Sequence, residues 1–217
     1  NTVCMAKDQD GNIVNDNFRC TKPIEIVNYP AKILDIKPVE LTLPYDFNFL
    51  TMAQWGPRKN LENTIKWFVE EFLNDEVGLV VKTNIAKNCL YDRYECKKRL
   101  GVLLQQFPER KCKIHLLHGS LEDEEIHSLY INPKIKALLS LTHGEGFGLP
   151  LFEAAQAGLP VVAPDWSGHL DFLYMKKGKS KPKAMFSKVD YELSPIPEQA
   201  VWKGVLEAGT SWGYARQ

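Results

Sequence analysis

From Phe47 onward, short apolar runs alternate with amphipathic stretches of helical spacing, and this alternation constrains the fold more than any other feature of the chain. Phe47 to Ala53 has strand character, and Asn60 opens a helix carrying Leu61, Ile65, Phe68 and Phe72 on one face. Gly78-Leu79-Val80-Val81-Lys82 reads as a strand buried on both sides, Asp92 to Phe107 as a helix with a basic face, and Lys113 to Leu117 as the next strand. Glu122 to Tyr130 follows as a short helix with an acidic first turn, then Ile135 to Leu141 as a strand, Leu149 to Ala157 as a helix and Pro160 to Ala163 as a strand. Such units recur roughly every thirty residues, the span of a βαβ crossover. Right-handed crossovers then favour an α/β fold: a Rossmann-like, doubly wound, mainly parallel sheet with helices on both faces.

Residues 1–46 lack this periodicity and contain the turn-prone segments Asp10-Gly11-Asn12 and Asn28-Tyr29-Pro30, so they read as an irregular lead-in with at most a hairpin. Residues 47–217 read as the ordered domain, although its pattern decays after Tyr174, and Lys176 to Lys181 reads as a solvated basic turn. Lys plus Arg and Asp plus Glu balance at 27 each, which leaves no long-range field for nucleic acid or an acidic membrane surface. Any bound anion must be held locally. No apolar stretch is long enough for a transmembrane helix. The five cysteines include no C-x-x-C pair, which argues against a zinc site and a complete disulfide framework. Reduced thiols and a cytoplasmic location are expected, with any membrane attachment supplied from outside this sequence.

In a doubly wound sheet, ligands bind at the carboxyl ends of the strands where the strand order reverses, normally between the first and fourth strands. The loop after the first strand reads Gln54-Trp55-Gly56-Pro57-Arg58-Lys59-Asn60, and the loop after the fourth reads Thr142-His143-Gly144-Glu145-Gly146-Phe147-Gly148. Fold logic places them side by side. Gly144, Gly146 and Gly148 permit close backbone approach, and the following helix, with Leu149 and Pro150 at its start, offers unpaired N–H groups to a phosphate. Arg58 and Lys59 add formal charge opposite, completing a diphosphate cradle. Glu145 and Glu153 suit the hydroxyls of a sugar and a ribose at two ends of an extended ligand.

The run Glu145-Gly146-Phe147-Gly148-Leu149-Pro150-Leu151-Phe152-Glu153, followed by Gly158-Leu159-Pro160-Val161-Val162, resembles the E-x7-E signature of GT-B glycosyltransferases, specifically the GT4 group of retaining enzymes. Pro57-Arg58-Lys59-Asn60 resembles that family's R-K-[GN] segment, and Leu117-His118-Gly119 its third-strand end; coverage runs from about Phe47 to Asp171. The resemblance implies a nucleotide-diphospho-sugar donor, no obligatory metal or other cofactor, and retention at the anomeric carbon. Residue by residue, it assigns Lys59 to the diphosphate, Glu145 to the transferred sugar, Glu153 to the ribose hydroxyls, and the backbone at Gly146, Phe147 and Gly148 to the sugar or phosphates. Lys59 and Glu145 are the catalytic pair it implies. Many members carry Gly-Arg at the end of the first strand where this chain has Ala53-Gln54, so Arg58 or Lys82 is the candidate replacement.

The family's acceptor site lies in an N-terminal domain that the lead-in is too short and irregular to supply. The chain therefore reads as the C-terminal, donor-binding half of a glycosyltransferase, with the acceptor (glycan, lipid or protein) undefined. A non-catalytic nucleotide-sugar-binding or protein-interaction domain is the alternative. A dinucleotide oxidoreductase fits poorly, because the glycines follow the fourth strand and Leu149 stands where the last Gly of G-x-G-x-x-G belongs. Ser167-Gly168-His169 with Asp171 lacks the Gly a nucleophile elbow needs, since Asp165 occupies that position. His118 and His143 read as local hydrogen-bonding residues, and Trp55, Trp67, Trp202 and Trp212 as packing residues.

Overall fold

Each apolar run singled out between Phe47 and Ala163 becomes a strand of one parallel sheet. The computed structural model describes residues 3–7, 13–19, 23, 25, 27, 29–176, 178–202, 206 and 209–216. It divides into two units, Asn1–Lys32 and Ile33–Gln217. In the first, β1 (Val3–Lys7) pairs antiparallel with β2 (Ile13–Arg19). The Asp10-Gly11-Asn12 turn and Asn28 lie outside the described residues.

In the second unit the elements run β3 (Asn48–Met52), α1 (Leu61–Glu71), β4 (Gly78–Lys82), α2 (Leu90–Leu104), β5 (Lys113–Leu117), α3 (Asp123–Tyr130), β6 (Ile135–Leu139), α4 (Leu149–Gln156) and β7 (Val161–Pro164). After α5 (Leu170–Leu173) come β8 (Tyr174–Met175), β9 (Lys183–Ala184), β10 (Ser187–Val189), β11 (Tyr191–Pro195) and β12 (Ser211–Ala215). The central sheet has the order β10-β7-β6-β3-β4-β5, with parallel pairing throughout. The chain enters at the middle, winds outward through β4 and β5, then crosses over to β6, β7 and β10. The order therefore reverses between β3 and β6, as the alternation predicts.

Side-chain alternation along the strands distributes the core to both faces. Leu79 and Val81 pack with Leu61, Ile65 and Phe68 of α1 and Cys96, Leu100 and Leu103 of α2. Leu50 and Val80 pack on the other face with Leu129 of α3, Leu151 and Ala154 of α4 and Leu173 of α5. Burying each large apolar side chain contributes about 1.5–3 kcal/mol relative to exposure. The end of the irregular segment joins this core: Leu43 is buried, with Val39 and Leu41 packed against it.

Two features downstream of Tyr174 escape the sequence pattern. β10 extends the sheet beyond β7, but three residues at a sheet edge carry no readable alternation. β11 and β12 form an antiparallel ribbon in which Leu193 opposes Gly213. Trp55 and Trp212 pack as expected, whereas Trp202 is 67% exposed and does not. Among the described residues no helix is long and apolar enough to cross a membrane.

Three histidines sit inside this framework, and desolvation holds His115, His143 and His169 below their ordinary value of 6.5. The unfolded chain therefore takes up protons below about pH 6.5 that the folded chain refuses, so stability is fully present above that pH and falls as pH drops through it. Urea midpoints measured between about pH 8 and about pH 5 should fall on the acid side of pH 6.5; a flat profile would refute this account.

Candidate functional site

The two loops predicted to meet do so at the β3/β6 reversal. Asn60 is the hinge of the first loop: its φ of 53° lies in the left-handed region that Asn tolerates, and its side-chain amide donates to the Leu141 carbonyl at 2.9 Å. The His143 N–H donates to the Arg58 carbonyl at 2.9 Å, tying the second loop to the first. These bonds fix a short turn, Pro57–Lys59, whose cationic side chains reach across the carboxyl end of the sheet.

Lys59 Nζ lies 2.6 Å from Glu145 Oε1, and Arg58 Nη1 lies 3.2 Å from Glu145 Oε2. Arg58 also donates to the Gly144 carbonyl. The Glu145 side chain is only 8% exposed, against 21% for Lys59 and 35% for Arg58. Two cations thus hold one nearly buried carboxylate, an arrangement in which losing one partner strands charge at low dielectric.

The Glu145 backbone is clamped as tightly as its side chain. Its N–H donates to the Ser167 hydroxyl at 2.8 Å, and that hydroxyl donates back to the Glu145 carbonyl at 2.7 Å. The Gly168 N–H reaches the same carbonyl at 3.0 Å. Ser167-Gly168 therefore positions Glu145, and His169, bonded to the Pro164 carbonyl at 2.8 Å, is fully buried structural packing. A Cβ on Gly168 would collide with the Gly146 carbonyl. Gly168→Ala should therefore push the 144–148 loop outward and destabilise the fold by about 1–3 kcal/mol, readable as a lowered urea midpoint; an unchanged midpoint would show that the loop has slack.

Gly148 begins α4 at φ 90°, a left-handed conformation, and no side chain caps this helix. A Cβ at Gly148 would press on His169 and Leu151. Leu149 is exposed at the helix start, Gly146 is exposed, and the Phe147 ring packs against Phe152 and Phe172. Glu153, one helical turn further on, accepts a hydrogen bond from Tyr130 at 3.0 Å. Lys82 ends β4, half-buried, with its ammonium on the Gly119 carbonyl at 2.6 Å and its pKa lowered by desolvation. The structure thus joins Arg58, Lys59, Gly144 and Glu145 directly, places Gly146 to Leu149 alongside, and engages Glu153 and Lys82 with other partners.

Sequence reasoning missed the ribbon's role at this site. The His143 ring stacks on Trp212 at 4.6 Å, its Nδ1 lies 2.9 Å from the Gly213 carbonyl, and Trp166 donates to the His143 carbonyl. Arg58, Glu145, Gly146, Trp166 and Trp212 line a cleft of about 520 Å³. The clustering of Trp212 and Tyr214 so near the end of the sequence is the only signal that could have pointed there.

One set of described side chains has metal-ligating types and spacing: Asp92, Cys96 and His118, with ligand atoms within 4.8 Å of one another. Its carboxylate is already saturated by three backbone N–H groups, His118 and the Cys96 thiol, so an ion there would have to displace existing bonds. Burial and the Asp92 hydrogen bond push the Cys96 thiol up to about 11, which keeps it unreactive.

Serotype-specific mannosyltransferase WbdA of Escherichia coli is 33% identical over 121 residues in one form and 42% in another; each match covers 54% of this chain and 13% of that protein. The chain thus spans about an eighth of the length of these curated relatives. Among solved structures, the C-terminal domain of a group 1 family glycosyl transferase, LpcC, from Francisella tularensis is 18% identical, with 62% of this chain and 65% of that chain covered and a TM-score of 0.44. The catalytic domain of starch synthase IV from Arabidopsis thaliana is 15% identical, with 70% and 28% covered and a TM-score of 0.44. Residues 42–181, well over half of the chain and including both site loops, match the family described as glycosyl transferases group 1; the chain belongs to that family.

Proposed function

We propose that this chain binds the nucleotide-diphospho-sugar donor of a retaining, GT4-type glycosyltransferase, as the C-terminal half of a two-domain enzyme whose acceptor domain lies outside this sequence. The observation that carries the reading is the meeting of Lys59 and Arg58 with Glu145 at the strand-order reversal, beside the uncapped start of α4. Lys59 and Arg58 neutralise the diphosphate as it becomes the leaving group, and the α4 N-terminus adds partial positive charge. Glu145 orients the sugar through its hydroxyls, and Glu153 holds the ribose in exchange for its bond to Tyr130. No side chain serves as a nucleophile, and the chemistry needs no metal. The relatives' name makes mannose the first sugar to test.

Calorimetric titration with UDP, GDP and their mannose and glucose conjugates tests the proposal. Lys59→Ala should weaken nucleoside diphosphate binding at least tenfold, about 1.4 kcal/mol or more. Binding of a dinucleotide such as NAD in its place, or a Lys59→Ala variant that binds as well as the parent, would reject it.

A further inference from the structure

The outer face of α2 takes no part in the site around Glu145, and it is not the face of an ordinary solvated helix. Leu90, Tyr91 and Tyr94 are 82%, 72% and 61% exposed, and Arg93, Lys97 and Lys98 stand exposed among them. We propose that this face docks on a bilayer surface of anionic phospholipid, with Leu90 and the two tyrosines entering the interface and the three cations meeting headgroup phosphates.

Helical spacing gathers these residues on one surface. Leu90, Tyr94, Lys97 and Gly101 follow one another at steps of four, three and four, with Tyr91 and Lys98 flanking that row on one side and Arg93 on the other. The opposite side of the helix is fixed: Cys96, Leu100 and Leu103 pack into the core, and Asp92 holds the backbone of the preceding loop. The exposed side chains are therefore presented on a rigid element without being needed to hold it. A single exposed apolar residue is unremarkable, but three within one and a half turns, interleaved with cations, make a patch.

Charge selects the partner. No carboxylate of α2 is exposed: Asp92 is buried, and Glu95 is partly buried toward α1, where it lines a cleft with Glu62, Lys98 and Arg99. Among the described residues Arg93, Lys97 and Lys98 enter no ion pair. Cations and carboxylates balance over the whole chain, so the attraction is confined to this face and fades beyond about 10 Å at ordinary ionic strength. The partner must present closely spaced anions and apolar depth together. An anionic bilayer does both, since its phosphates meet the cations and its headgroup boundary is where tyrosine rings settle with their hydroxyls still wet. A nucleic acid would supply phosphates but no seat for Leu90. The lysine run from Lys176 to Lys183 has comparable charge but no aromatic ring within it. α2 follows β4, so this face begins at the same carboxyl edge of the sheet as the Glu145 loop while sharing no residue with that site. The docking proposal therefore stands or falls independently of the donor reading.

Co-sedimentation of the whole chain with vesicles tests the proposal. Vesicles of phosphatidylglycerol and phosphatidylcholine in equal parts should bind the chain at least about tenfold more tightly than phosphatidylcholine alone, and added salt should weaken that binding. Arg93→Ala with Lys97→Ala, and separately Leu90→Gln with Tyr94→Gln, should each lower the affinity about tenfold, because one pair removes charge and the other the apolar contact. Both pairs are exposed, so the urea midpoint and the affinity for UDP or GDP should stay those of the parent. Lys179→Ala with Lys181→Ala removes the same charge from the basic turn and should change vesicle affinity less than about twofold. Absence of binding to the anionic vesicles, or binding to an oligonucleotide in their place, would overturn the proposal. So would an equal loss in the Lys179 and Lys181 variant, which would mean adsorption by net charge, or indifference to the loss of Leu90 and Tyr94. Self-association of the chain through this face without vesicle binding would equally reject a bilayer as its occupant. Failure of nucleotide binding alone would count against the donor reading and leave the docking surface standing.

Discussion

Glu145→Gln should bind a free nucleoside diphosphate about tenfold more tightly than the parent chain while losing most of its preference for the sugar-bearing form. The carboxylate already occupies the two cations proposed to hold the diphosphate, with Lys59 at 2.6 Å and Arg58 at 3.2 Å. On the proposed reading a donor must break those pairs, and its phosphates must approach a fixed negative charge that is 8% exposed. Two unit charges about 5 Å apart at an effective dielectric near 20 repel by about 3 kcal/mol. Recovering even half of that gives the tenfold gain. Neutralisation also replaces the charged acceptor proposed for the sugar's hydroxyls with a neutral amide that accepts from a single oxygen and more weakly, so the nucleotide-sugar gains less than the nucleotide does. Calorimetry on both ligands reads the difference directly. Should the variant lose affinity for both equally, the carboxylate would be a structural counter-ion for the 57–60 turn and its role toward the sugar would fall.

The parts of this molecule legible in the sequence are those whose signal is local and repeated. β4 is buried along Gly78 to Val81, and its unbroken apolar run marks it as a strand covered on both faces. α1 announces itself through Leu61, Ile65 and Phe68, all buried. From these elements the strand-order reversal follows by topology, and with it the meeting of the Arg58-Lys59 and Glu145 loops. What stayed hidden depends on long-range partners. Ser167 invites a hydrolase reading in sequence, yet its hydroxyl is spent on both backbone groups of Glu145. The ribbon has strands of ordinary composition, and only three-dimensional contact reveals that Trp212 covers His143. Asp92 gives no warning either, since an acidic residue in a first helical turn is ordinary helix chemistry.

Asp92→Ala should be the most damaging single truncation among the polar residues described here, lowering stability by about 3–5 kcal/mol. The carboxylate accepts from the N–H groups of Ile85, Ala86 and Lys87 at 2.9, 2.7 and 2.8 Å, lies 2.8 Å from His118 Nε2, and receives the Cys96 thiol. One buried side chain thus folds the loop after β4 onto the start of α2 and pins the end of β5. Burial alone would push its pKa up, but the backbone bonds and His118 outweigh it and hold the carboxyl well below the usual range. Truncation leaves the His118 ring, whose side chain is 3% exposed, without this partner. The turn that carries the Gly119 carbonyl loosens too, and with it the seat of Lys82. For a chain of this size the loss corresponds to a melting temperature lower by about 10 °C. The sign of the pH dependence separates this account from simple cavity formation. A carboxyl with a depressed pKa stabilises the fold fully above its unfolded value of 3.8 and loses that contribution as pH falls toward the folded value. The gap between parent and Asp92→Ala should therefore narrow as urea midpoints are followed from neutrality to below pH 3.8. A gap that persists undiminished in acid would mean that lost packing, and not the charged hub, carries the effect.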